Sequence, residues 1–97
     1  MTIHRIDTDM LIKAILSLQN EEECAAFLED VLTIKETRDI VQRLDVAKCL
    51  SEGIKYSDIS QITSASSATI SRVNRAYTYG AGGYSIILDR LFGEDNS

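Results

Sequence analysis

The stretch Ile59-Ser60-Gln61-Ile62-Thr63-Ser64-Ala65-Ser66-Ser67-Ala68-Thr69-Ile70-Ser71-Arg72-Val73 decides how this chain is to be read. Its apolar residues, Ile59, Ile62, Ala65, Ile70 and Val73, stand at the fixed offsets that let two short helices lock at a steep angle across a tight turn. Ile59 and Ile62 are expected to hold the first helix inward. Ala65 is small enough for the turn, and Ile70 and Val73 anchor the second helix. Ser64 stands where glycine is commonest, so the turn is slightly atypical. The spacing predicts a helix-turn-helix with its helices over about 56–62 and 67–77.

The outward face of the second helix carries Ser66, Ser67, Ala68, Thr69, Ser71, Arg72 and Arg75, all small, hydroxyl-bearing or cationic. Such a face can sit deep in a major groove, where hydroxyls meet phosphates or base edges and arginine pairs bidentately with guanine. These seven are the candidate DNA-binding residues. The plainer reading is that the serines and Thr69 only cap and solvate a surface helix; Ser66 suits capping and phosphate contact equally.

Upstream, Met10, Leu11, Ala14, Ile15 and Leu18 form one stripe of an amphipathic helix, with Asp7 or Thr8 available to cap it. Asn20 with Glu23 is a capping-box signature, and Cys24, Phe27, Leu28, Val31 and Leu32 repeat the stripe. Two short helices with continuous apolar faces must lie against something longer. That element starts at Thr33, with Glu36 reaching back, and stops at Gly53. On it Ile40, Leu44, Ala47 and Ser51 make one strip and Val46 and Leu50 a second. Arg43 falls anomalously between them, while Lys35, Arg38, Gln42 and Asp45 make an ordinary solvent face. Downstream, Gly80, Gly82 and Gly83 interrupt regularity, read as a hinge, before Tyr84, Ile87, Leu88, Leu91 and Phe92 mark a last short helix. The expectation is all-α: six helices in one domain over 1–97, with dimerisation helices over 8–53, the helix-turn-helix over 54–79 and a C-terminal helix over 84–92.

The chain has 97 residues and a net charge of −5, with 44% hydrophobic and 26% charged residues. A chain this short buries a thin core unless a second copy shares it. The composition fits neither a disordered nor a membrane protein, and without a secretory pattern at the amino end the cytoplasm is expected. Cys24 and Cys49 are too few for a disulfide framework and read as reduced packing residues. The charge is uneven: residues 1–53 carry six basic and eleven acidic side chains, 54–79 three and one, and 80–97 one and three. Only the middle segment, net +2, would be welcome beside a phosphate.

No catalytic constellation is visible. His4 is the sole histidine, no Cys/His cluster has metal-ligand spacing, no glycine-rich loop follows a strand, and acid pairs such as Glu29 and Asp30 sit on a solvated face. The chain therefore does not read as an enzyme, and no metal or cofactor is expected.

From Leu32-Thr33 and Glu36, through the long helix ending at Gly53, to Ala68-Thr69-Ile70-Ser71-Arg72, the chain resembles the tryptophan repressor superfamily over about residues 8–92. The segment Tyr79-Gly80-Ala81-Gly82-Gly83-Tyr84 is similar to its YerC/YecD-like branch. The resemblance implies an intertwined all-helical homodimer and transcriptional regulation through double-stranded DNA, with repression the expected sign and no membrane involved.

The resemblance also implies an effector pocket in which two arginines hold the bound amino acid; Arg43 and Arg72 fall at those positions. An i, i+4 ion pair with Asp39 is an equally good account of Arg43. The chain departs from the pattern at Val73, where the repressor has a glycine that leaves a slot for the indole, and at Ala76, where it has a hydroxyl. Filling that slot with a branched side chain costs ~1–3 kcal/mol in overlap. Tryptophan is therefore disfavoured as corepressor, and either the protein itself holds its reading heads or a smaller effector uses Arg43 and Arg72. The competing function is a protein-interaction module that keeps the helix-turn-helix as scaffold without binding DNA, which the acidic balance favours.

Overall fold

The computed structural model describes residues 7–93; His4 lies outside them. Among the described residues there are six helices and no strand: α1 (Asp9–Ser17), α2 (Glu21–Val31), α3 (Ile34–Ser51), α4 (Tyr56–Thr63), α5 (Ser67–Tyr79) and α6 (Gly83–Phe92). They fall into two compact units divided between Thr37 and Arg38, in the first turn of α3.

In the first unit the helix starts follow local chemistry. The Asp9 N–H donates to Asp7 Oδ1 at 3.1 Å, so Asp7 rather than Thr8 serves the start of α1. Asn20 Oδ1 accepts from the Glu23 N–H at 2.9 Å, while the Glu23 carboxylate reaches back one residue further than expected, to the Gln19 N–H. At Thr33 the box is reciprocal: the Glu36 N–H donates to Thr33 Oγ1 at 3.0 Å and the Thr33 N–H to Glu36 Oε1 at 2.9 Å. Each pair satisfies amides that the first helical turn leaves without a partner.

The apolar stripes of α1 and α2 nevertheless contain no fully buried residue, and Ala14, Leu18, Phe27 and Leu32 are half-buried at most. Met10 is 83% exposed, Leu28 and Val31 about half, and Cys24 is exposed rather than packed. The expectation that these faces lie against a longer element is not met within this unit.

The second unit holds the core. Val46, Ala47 and Cys49 of α3 are buried together with Ile59 of α4, Ala65 of the turn, Ile70 and Val73 of α5, and Leu88 of α6. Burial pushes the Cys49 thiol up from its ordinary value, because the thiolate would lose its hydration there. The long helix thus presents Val46, Ala47 and Cys49 inward, Leu44 and Leu50 at the margin, and Ile40 and Ser51 to solvent. It ends at Gly53, whose φ of +77° is a left-handed terminator. Lys48 near that end pairs with Glu52 at 2.8 Å and lies 4.7 Å above the Phe92 ring, fastening α6 to α3.

Helix α5 packs against both α4 and α6. Two of the glycines read as a hinge stand at helix ends: a methyl on Gly80 would strike the Ala76 carbonyl, and Gly82 starts α6 at a φ of +90°.

Candidate nucleic-acid interface

Projected at 100° per residue, the core-facing residues of α5, Ile70, Val73 and Tyr77, lie opposite Ala68, Arg72, Arg75 and Tyr79. Burial agrees: Ile70 and Val73 are at 1% and 0% exposure, while Ala68, Arg72, Arg75 and Tyr79 face solvent. One side of α5 is therefore committed to the core and the other is free along the helix length. Ser66, Ser67 and Ser71 are also exposed, and Thr69 is half-buried. Tyr79, 83% exposed, extends the Arg72–Arg75 stripe by one turn; its i+4 and i+7 offsets from Arg75 and Arg72 carry that signal, which a helix expected to end near residue 77 does not include.

The turn is built from hydroxyls. Ser64 takes the left-handed conformation at φ 64°, ψ 13°, where glycine would be unstrained. Thr63 Oγ1 donates to the Ile59 carbonyl at 2.8 Å and accepts from the Ala65 N–H at 3.2 Å, while Ser60 Oγ donates to the Ala65 carbonyl at 3.0 Å. Ala65 is buried under this network, its backbone paired on both sides. Ser66 is the N-cap of α5: its Oγ accepts from the Thr69 N–H and donates to Thr69 Oγ1, both at 3.1 Å. The Ser66 proton is thereby occupied, whereas the hydroxyl of exposed Ser67 takes no part in this cap.

Ile62, expected to turn inward beside Ile59, is 63% exposed. Three residues carry it 60° around α4, past the edge of the buried face. The inward position next to the turn is filled by Ala65.

Of the three expected effector residues, Val73 is fully buried, Arg72 is exposed and Arg43 is half-buried on α3. Arg43 forms no ion pair with Asp39 among the described residues. The valine side chain fills the core of the helix-turn-helix beside Ile59 and Ile70. A 310 Å³ open groove does lie in this unit, lined by Lys48, Glu52, Tyr77, Leu88, Asp89 and Phe92 among others, and none of the three expected effector residues lines it. Gln42, read as a solvent-face residue, is half-buried and donates from Nε2 to the Thr63 carbonyl at 3.1 Å. No local pattern could have found that bond, because its ends are 21 residues apart.

Two helices packed across a tight turn, with an apolar inner face and a small, basic outer one, define the helix-turn-helix class. The Trp repressor protein family model matches residues 7–92. The uncharacterized protein YerC of Bacillus subtilis is 47% identical over 85 residues, covering 88% of this chain and 82% of that protein. Two crystal structures are similar, each with a TM-score of 0.82: a "putative Trp repressor" from Staphylococcus aureus, 46% identical and covering 91% of this chain and 88% of that one, and a TrpR-like protein from Eubacterium eligens, 48% identical and covering 90% and 91%. The chain belongs to the Trp repressor family, as its resemblance implied, with the all-helical fold of these relatives.

Proposed function

We propose that this protein is a sequence-specific double-stranded-DNA-binding regulator, most simply a repressor, that works as a homodimer in the cytoplasm without tryptophan. The observation that carries the reading is the two-sidedness of α5, sealed inward by Ile70 and Val73 and open outward along Ala68, Arg72 and Arg75. Among the described residues no helix is long and apolar enough to cross a membrane.

In this reading the start of α5 enters the major groove. The Ser67 and Ala68 amides, which cap to nothing within the helix, and the Thr69 hydroxyl meet the phosphate backbone. Ser71, Arg72 and Arg75 reach base edges or phosphates, with Arg75 suited to guanine. Paired heads enter successive major grooves ~34 Å apart. The acidic remainder of the chain repels duplex DNA, so binding is modest, and the contacts of the basic heads with phosphate weaken as salt rises.

The deciding experiment selects bound sequences from random duplexes with and without tryptophan. A shared enriched motif in both arms is expected, and Arg75→Ala should weaken binding to it about tenfold or more, within the ~1–3 kcal/mol a bidentate base contact carries. Enrichment that requires tryptophan would overturn the ligand-independent part. No binding to any duplex at low salt would favour the interaction-module reading, to which the net charge of −5 is better suited.

A further inference from the structure

The helix-turn-helix is joined to α3 mainly through apolar contacts, with Val46 and Ala47 sharing the cluster that holds Ile59, Ile70 and Val73. Such contacts are non-directional: they set how closely elements approach and leave sliding or rotation weakly specified. Among the described residues one directional bond joins α3 to the turn, from Gln42 Nε2 to the Thr63 carbonyl. Thr63 is the last residue of α4. Its carbonyl is among the four at a helix end that have no intrahelical partner, so Gln42 satisfies a group that would otherwise depend on water.

Thr63 is also the hub of the turn. Its own hydroxyl bridges Ile59 and Ala65, and Ser60 closes the same loop. A turn braced in this way moves as one piece, and α5 begins only four residues past Thr63. Gln42 therefore fastens a stiff lever. The 13 residues of α5 span about 20 Å at 1.5 Å per residue, so a small rotation at the turn is enlarged along the helix. Hydrogen bonds to base edges weaken steeply with distance and angle, whereas attraction to phosphate tolerates displacement. A loosened turn should cost discrimination between sequences more than general attraction to DNA.

We propose that Gln42 is a positioning residue for the reading head: its bond to the Thr63 carbonyl sets the pose of α5 on α3 and through it sequence discrimination, without contacting DNA. The inference rests on the DNA-binding reading above, and two measurements separate their fates.

The first needs no DNA. Amide hydrogen exchange is compared in the unsubstituted chain and in Gln42→Met, which keeps the length and loses the donor, and Gln42→Asn, which keeps an amide too short to reach. Ser64 and Ala65 amides should exchange at least fivefold faster in both variants, with Val46 and Ala47 unchanged. Unchanged exchange at the turn overturns the inference whatever DNA does. Gln42→Asn keeps the test decisive if the methionine variant does not fold.

The second compares affinity for the selected duplex and for a scrambled one. The ratio should fall about fivefold or more in both variants while scrambled-duplex affinity stays the same. Gln42→Lys, which restores an N–H donor and adds sequence-blind attraction equally to both duplexes, should recover the ratio. An unchanged ratio, equal loss on both duplexes, or failure of lysine to recover discrimination overturns the role. If the unsubstituted chain binds neither duplex, the DNA-binding reading falls and the specificity role with it, while the exchange data still decide whether the bond braces the turn.

Discussion

Residues 38–93 contain all eight buried side chains found among the described residues, and residues 7–37 contain none. The difference is not one of composition. Helices α1 and α2 carry apolar stripes as α4 and α5 do, and Asn20 caps α2 as Ser66 caps α5, yet Leu11, Ile12, Ile15, Leu28 and Val31 all stay about half exposed, and Leu16 reaches 78%. In the reading-head unit, α3, α4, α5 and α6 each contribute to one cluster, and its apolar groups cover one another. The N-terminal unit has the faces without the cover. The contrast divides the chain into a part that carries its own core and a part whose apolar faces have none, which is what the proposed homodimer would account for.

The widest test of that contrast replaces Leu11 and Ile15 together by Asp. Each buried aliphatic side chain is worth ~1.5–3 kcal/mol, and a carboxylate in its place adds a desolvation penalty. Light scattering should report the mass of two chains before the substitution and of one after it. Two chains in both samples would mean that these faces do not hold the assembly.

A narrower test works inside the self-sufficient unit. Ile59→Ala removes a side chain with no exposure and should lower stability by ~2–5 kcal/mol in denaturant unfolding, independently of protein concentration. A loss that depends on concentration would instead tie this core to assembly and erase the distinction between the units. The smallest effect is expected at the turn. Ser64→Gly relieves a left-handed residue that costs ~1–2 kcal/mol and adds backbone freedom to the unfolded chain worth roughly half of that, so a net gain below about 1 kcal/mol is expected in thermal unfolding. A clear loss would mean that the Ser64 side chain contributes something its backbone geometry does not reveal.

Much of the candidate interface was legible because it rests on short offsets. Ile59, Ile70 and Val73 were placed inward and Ala68, Arg72 and Arg75 outward from helical spacing alone, and burial agrees at each. Ile62 escaped because periodicity locates a stripe, while the width of the stripe that becomes covered depends on how α5 crosses α4. Cys24 escaped for a related reason: its position on an apolar face is local, and whether anything covers that face is not. Gln42 looked like a solvated polar residue since its acceptor is a backbone carbonyl 21 positions away, which no residue identity advertises.

The amino-acid order by itself determined where α2, α3 and α5 begin and where α3 ends, since Asn20 with Glu23, Thr33 with Glu36, Ser66 with Thr69, and Gly53 satisfy or release backbone groups within about four residues. It also determined that one side of α5 would be small and basic. The tertiary structure alone decided which apolar stripes became a core and that Gln42 would bond to the Thr63 carbonyl. Burial and long-range hydrogen bonding depend on what another segment brings into contact, and that is a property of the assembled fold rather than of any local stretch of chain.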